Sequence, residues 1–114
     1  YREDLQVIVD LSEIKKINSI SLGCHQDVRS WIFFPKQVEY WTSKDDINYS
    51  YQGKVFPNFS DSIEGSFQKD FTLKVNDLKA RYIKIKAKNY GLCPPWHLGA
   101  GGVTWIFVDE ITIK

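Results

Sequence analysis

Residues 82–88 read YIKIKAK, with apolar and charged side chains in strict alternation from Ile83 onward. A period of two sorts side chains onto the two faces of a β-strand, one dry and one wet, whereas a helical period of 3.6 would mix them. The same period returns along the chain. Val7, Val9 and Leu11 alternate with Gln6, Ile8 and Asp10, and Ile14, Ile17, Ile20 and Leu22 follow across a polar break. Val38 and Tyr40 alternate with Glu39 and Trp41, and Tyr49, Tyr51, Gly53 and Val55 carry the pattern on. Residues 67–75 read FQKDFTLKV, where the slip near Asp70 predicts a β-bulge, and residues 105–114 read WIFVDEITIK. That makes about seven short strands with turn residues between them and no amphipathic helix, which predicts an all-β antiparallel sandwich or barrel.

The turns have a chemistry of their own. SKDDINYS, between two strand patterns, is rich in Ser, Asp and Asn side chains that bond to their own backbone. Lys84, Lys86 and Lys88 form a basic row, which reads as the solvated face of one strand whose other face is buried through Ile83 and Ile85.

With 114 residues the chain is at most one domain, 1–114. A formal net charge of +1 and the lack of a basic tract argue against a nucleic-acid partner. The longest apolar run, from Trp31 to Pro35, is far too short to span a bilayer. The opening YREDLQVIVDL reads as the approach to a strand inside a fold, so the chain is expected to be a piece of a longer protein. Cys24 and Cys93, the only thiols, fit no zinc spacing. They are either two buried thiols or one disulfide.

Independent catalysis has little support. His25 and His97 are the only histidines, and no Ser, Cys or Asp motif sets a nucleophile beside either. Asp109 and Glu110 are adjacent in a strand pattern, which predicts that they face opposite ways.

Two loops carry the candidate binding residues. The segment KNYGLCPPWHLGAGG spends Pro94, Pro95, Gly91, Gly99, Gly101 and Gly102 on backbone shape and presents Trp96 and His97. A flat aromatic face with a few directed donors is what a sugar ring requires. The segment HQDVRSWIFFP brings Gln26, Asp27, Arg29 and Trp31 together. Arg29 is a fork of donors that Asp27 can orient. The alternative is that Arg29 and Asp27 pin the loop, with Trp31 and Phe33 as plugs in the core.

The runs QVIVDLSEIKKINSISLG, PKQVEYWTSKDDINY, RYIKIKAKNYG and VDEITI resemble the coagulation-factor type C, or discoidin, family and its bacterial relatives, the family 32 carbohydrate-binding modules. The segments HQDVRSWIFFPKQVEYW and CPPWHLGAGGVTWIFVDEI look more narrowly like modules at the C-terminus of bacterial family 20 β-hexosaminidases of chitobiase type. The resemblance implies a discoidin-like jelly roll with binding loops at one end, and an exported bacterial parent enzyme, periplasmic, on the cell surface or secreted. It implies a non-catalytic domain that binds terminal galactose or N-acetylhexosamine, with Trp96 stacking on the ring and His97, Arg29, Asp27 and Gln26 bonding to its hydroxyls. In that exported setting a Cys24–Cys93 bridge is favoured. Family members usually begin with a further strand and a loop that supplies most ligands of a structural calcium. Neither is found before Tyr1, so an exposed edge is expected and calcium is expected only in the full module. Glu110 matches the family's C-terminal calcium ligand, and one carboxylate falls short of the six to eight oxygens that calcium takes. The alternative within the same fold is a protein-docking or membrane-surface domain, with WIFFP as an apolar spike, or one that only packs against its catalytic neighbour.

Overall fold

A computed structural model describes residues 4–27, 31–57, 65–89 and 106–114. These residues are all-β. Strands β1 (Leu5–Asp27), β2 (Gln37–Ser43), β3 (Ser50–Val55), β4 (Ser66–Lys88) and β5 (Phe107–Ile113) form one antiparallel hydrogen-bonded set in the order β3-β2-β4-β1-β5.

The described strands are fewer than the runs in the sequence because β1 and β4 each join two of them. The polar break after Leu11 is a bulge, not a turn. The β1–β4 register shifts between Asp10 and Lys15 and again between Ile17 and Ser19. Ser12 and Asp77 take positive φ at these shifts, 74° and 46°. Short polar side chains support both. Asp10 Oδ1 accepts the Ser12 N–H at 2.8 Å, and Asn18 Oδ1 accepts the Asp77 N–H at 3.1 Å. Around Asp70, by contrast, the pairing is regular, Gly23 to Asp70 and Leu22 to Phe71. The apparent slip there comes from Lys69, which shares the inward row with Phe67, Phe71, Leu73 and Val75 and is only partly buried. A lysine near a strand end can lay its stem along apolar surface and keep its ammonium wet. The bulge expected at Asp70 therefore falls at residues 75–77 instead.

The bulges let the two long strands double back. A straight strand of 23 residues would run roughly 75 Å, yet the longest dimension of the molecule is 47 Å. The first half of β1 and the second half of β4 lie with β2 and β3, while the other halves lie with β5. The two layers face one another. Tyr40 of β2 donates its hydroxyl to the Phe71 carbonyl of β4. The Leu73 side chain packs over Gly53 of β3, 3.3 Å from where a Cβ would stand. Between the layers lie Ile20, Leu22, Cys24, Val38, Tyr40, Phe71, Ile83, Ile85 and Ala87, all with no exposed surface. The expected sandwich is thus built from strands shared by both of its layers.

The β2–β3 turn behaves as its composition predicts. The Asp45 carboxylate accepts the N–H groups of Ile47 and Asn48, the Asn48 amide and the Ser43 hydroxyl at 2.8–3.0 Å. These bonds hold its pKa well below the ordinary carboxylate range, with the Asn48 N–H contributing most. At the neighbouring bulge, Arg81 grips Asp10 with two bonds, at 2.9 and 3.1 Å, and with the Ser12 N–H holds that carboxyl low as well. A carboxyl with a lowered folded-state pKa stabilises the fold above its unfolded value near 4, and loses that contribution as pH falls through the folded value. Thermal stability is therefore expected to drop as pH is lowered from about 5 towards 2, and Asp45→Asn should flatten part of that drop in a pH series of melting curves.

Candidate functional site

One end of the sandwich gathers the described residues that flank both candidate loops. Asp27, the last residue of β1, pairs with Ser66, the first of β4, and His25 pairs with Phe107, the first of β5. The opposite termini of the same long strands meet them there. The Phe34 N–H reaches Gln26 Oε1 at 3.3 Å, and two residues on the Lys36 N–H bonds to the Lys88 carbonyl at 2.9 Å. Asn89 N–H caps the adjacent edge by bonding to Asp4 Oδ1 at 2.8 Å.

Asp27 and Ile32 lie side by side as a backbone pair. Asp27 and Ile32 exchange both backbone hydrogen bonds, at 2.9 and 3.0 Å. Trp31 sits inside this closure at φ 64°, a conformation unfavourable for a bulky side chain, and remains 36% exposed. Such strain persists only where surrounding contacts fix it, and it concentrates at functional loops. The Asp27 carboxylate lies 3.5 Å from the Ser66 hydroxyl. Gln26 takes a different part from the one expected of it. It is buried to 2% exposure, and its carbonyl oxygen points inward to the Phe34 N–H, so it anchors the loop. Phe33 and Phe34 are buried too, Phe34 with its ring 5.8 Å edge-on to Phe71, and Pro35 is fully enclosed. The WIFFP stretch is thus core from Phe33 onward and forms no apolar spike. Arg29, Trp96, His97 and Cys93 lie outside the described residues.

The outer face near this end holds features that the sequence did not single out. Phe107, half exposed, meets His25 edge-on at 5.8 Å. Next to it the β1–β5 register shifts, Gly23 facing Glu110 and Cys24 facing Val108, so Asp109 is the extra residue of a bulge. This breaks the alternation expected for Asp109 and Glu110, and both are exposed. A Cβ on Gly23 would stand 2.5 Å from Asp109 Oδ1 and 3.2 Å from Asp70 Oδ1, so glycine leaves room for two carboxylates above the strand. Glu110, the candidate calcium ligand, gathers no ligand set among the described residues. Among the described residues no three or more His, Cys, Asp or Glu side chains converge as a metal site. One carboxylate does not fit the oxygen-rich shell that calcium needs.

Beneath that face Cys24 is a free thiol with no exposed surface, not half of the disulfide that the resemblance favoured. Burial, and after it the charges of Asp109 and Asp70, push its pKa up to about 12. The thiolate is the reactive form. Iodoacetamide at pH 8 is therefore expected to leave Cys24 unmodified in the folded protein and to label it in denaturant, as read by peptide mass spectrometry. Labelling of the native protein at a rate near that of a free thiol would contradict the burial.

No family model matches the sequence, and no curated protein matches it. Solved structures do. The CBM32-3 module from a family 31 glycoside hydrolase of Clostridium perfringens superposes with a TM-score of 0.61 at 13% identity, over 98% of this chain and 68% of that one. The C-terminal domain of a chitobiase from Bacteroides fragilis gives a TM-score of 0.46 at 18% identity, over 97% of this chain and 65% of that one. The likeness to the clostridial module, together with the doubled-back strands described above, gives this chain the antiparallel β-sandwich fold of a family 32 carbohydrate-binding module.

Proposed function

We propose that this domain is a non-catalytic carbohydrate-binding module that holds an attached bacterial glycoside hydrolase, of β-hexosaminidase or chitobiase type, on glycans ending in galactose or N-acetylhexosamine. The observation that carries the reading is the sharing of fold with a module of a glycoside hydrolase, in a chain whose two candidate loops are flanked by strand termini gathered at one end. In this reading Trp96 stacks on the apolar face of the terminal ring. His97, Arg29 and Asp27 bond to its hydroxyls, and selectivity follows from the cost of leaving buried polar groups unpaired. Trp31, held exposed beside Asp27, borders the same ring. Affinity is expected between about tens of micromolar and millimolar, since a single shallow wet contact gives little more. Copies in the parent enzyme raise it by avidity. An extracytoplasmic location belongs to the same reading. Burial of Phe33, Phe34 and Pro35 weighs against the membrane-spike alternative.

A glycan array probed with the domain tests the reading. Retention on terminal galactose or N-acetylhexosamine, with none on liposomes, is the expected result. A blank array together with tight association with an isolated glycoside hydrolase domain would replace the lectin role by a docking role.

A further inference from the structure

The outer face of the layer formed by β3, β2, the second half of β4 and the first half of β1 combines charge and aromatic surface in register. Ile83, Ile85 and Ala87 point fully into the core, so Tyr82, Lys84, Lys86 and Lys88 point out. Pairing sets Lys84 between Trp41 of β2 and Ile8 of β1, and Lys86 between Glu39 and Gln6. On the far side of β2, Trp41 faces Tyr51 and Glu39 faces Lys54. The Lys84 ammonium lies 4.8 Å from the Trp41 ring centre and 5.0 Å from that of Tyr49. Trp41 and Tyr51 meet edge-on at 5.3 Å, and Tyr51 remains 50% exposed.

The charges on this face are not balanced internally. Arg81 is matched by Asp10. Glu39 takes a bond from the Gln37 amide. Lys84, Lys86 and Lys88 form no ion pair with a described carboxylate. Lys84, Lys86 and Lys88 stand at every second residue, about 7 Å apart along the end of β4, and aromatic rings flank Lys84.

We propose that this face is a second glycan surface, separate from the loop end, and that its ligand is a polysaccharide of uronic acids. Such a chain carries one carboxylate on each ring and leaves C–H faces bare. It meets both halves of the surface, the carboxylates on the lysine row and a ring face on Tyr51. A neutral sugar accepts hydrogen bonds from the lysines but leaves their charge unmatched. A densely sulfated chain or a nucleic acid carries more charge than one row of lysines interrupted by Glu39 can match, and the net charge of +1 adds no wider basic field.

Affinity electrophoresis of the whole chain in gels containing polygalacturonate at low salt tests this surface. Retardation is expected with polygalacturonate and not with dextran. The double variant Lys86→Ala/Lys88→Ala and the triple variant that adds Lys84→Ala should each lose binding, the triple by at least about tenfold, with melting temperatures close to that of the parent chain. Tyr51→Ala, which leaves the charge unchanged, should also weaken binding, whereas Trp96→Ala should leave it intact. Lack of retardation, full affinity in the triple variant, or full affinity in Tyr51→Ala would overturn the proposal. So would equal or stronger binding of heparin or a single-stranded oligonucleotide, which would reduce the surface to general attraction for polyanions.

Discussion

Tyr40→Ala is expected to destabilise the domain by about 3–5 kcal/mol, in the range for deleting a large buried ring. Tyr40→Phe should cost about 1–3 kcal/mol, the penalty for stranding buried backbone groups. Tyr40 is fully buried in β2, in one layer of the sandwich. Its hydroxyl donates to the Phe71 carbonyl, and Phe71 is paired with Leu22 across β4 and β1 in the other layer. The phenol therefore fastens one layer to the backbone ladder of the other, in addition to packing between them. Burial holds its pKa well above the usual range for tyrosine, so the hydroxyl stays protonated at ordinary pH and the bond is not lost in mild base. Urea unfolding of the two variants separates the terms. If Tyr40→Phe unfolds within about 0.5 kcal/mol of the parent chain, the value typical of an uncritical surface change, the layers are held by packing alone.

The strands were legible because the period of two is a local signal. Ile83, Ile85 and Ala87 are buried and Lys84 and Lys86 face water, as YIKIKAK requires. Where one strand stops and the next begins was less legible, because a bulge and a turn use the same residues. Ser12 and Asp77 would suit either, and only pairing across β1 and β4 shows that the chain stays hydrogen-bonded through both positions. Lys69 misled for a related reason. A charged side chain on the inward row looks like a slipped register unless its place near a strand end is known. At the candidate site the sequence picked the loops, but it could not divide roles within HQDVRSWIFFP. Gln26 reads as a hydrogen-bonding partner for a ligand, and its amide is suited to that. Its spacing of two residues from Cys24 and four from Leu22 puts it on the buried row of β1, where the Phe34 N–H bonds to its oxygen. The Gly23 notch between Asp70 and Asp109, and the rings around Lys84, depend on residues far apart in sequence, and no local pattern announces them.

Gln26 and Trp96 make a contrasting pair on which the proposed sugar site can be tested at its base. Trp96→Ala is expected to abolish detectable retention on the glycan that the domain prefers, with no change in melting temperature. In the proposed reading the indole supplies the stacking surface, and a Kd near millimolar leaves about 4 kcal/mol of binding energy in all, little of which survives its loss. Gln26→Ala acts from beneath. Removing the amide takes the Gln26 oxygen away from the buried Phe34 N–H, for a cost of about 1–3 kcal/mol. The bond joins β1 to the residues that follow Trp31, so its loss should show first as faster amide exchange across Trp31–Phe34, with weaker glycan retention and a lower melting temperature together. Gln26→Glu keeps the acceptor oxygen in place and should recover part of the loop order where its carboxyl is protonated, a rescue that a direct contact between Gln26 and the ligand would not produce in the sugar-free protein. If Trp96→Ala retains full affinity while Gln26→Ala loses it at unchanged stability, the roles are reversed. The ligand would then be read by the segment around Asp27 and Trp31, and residues 90–105 would serve only to shape it.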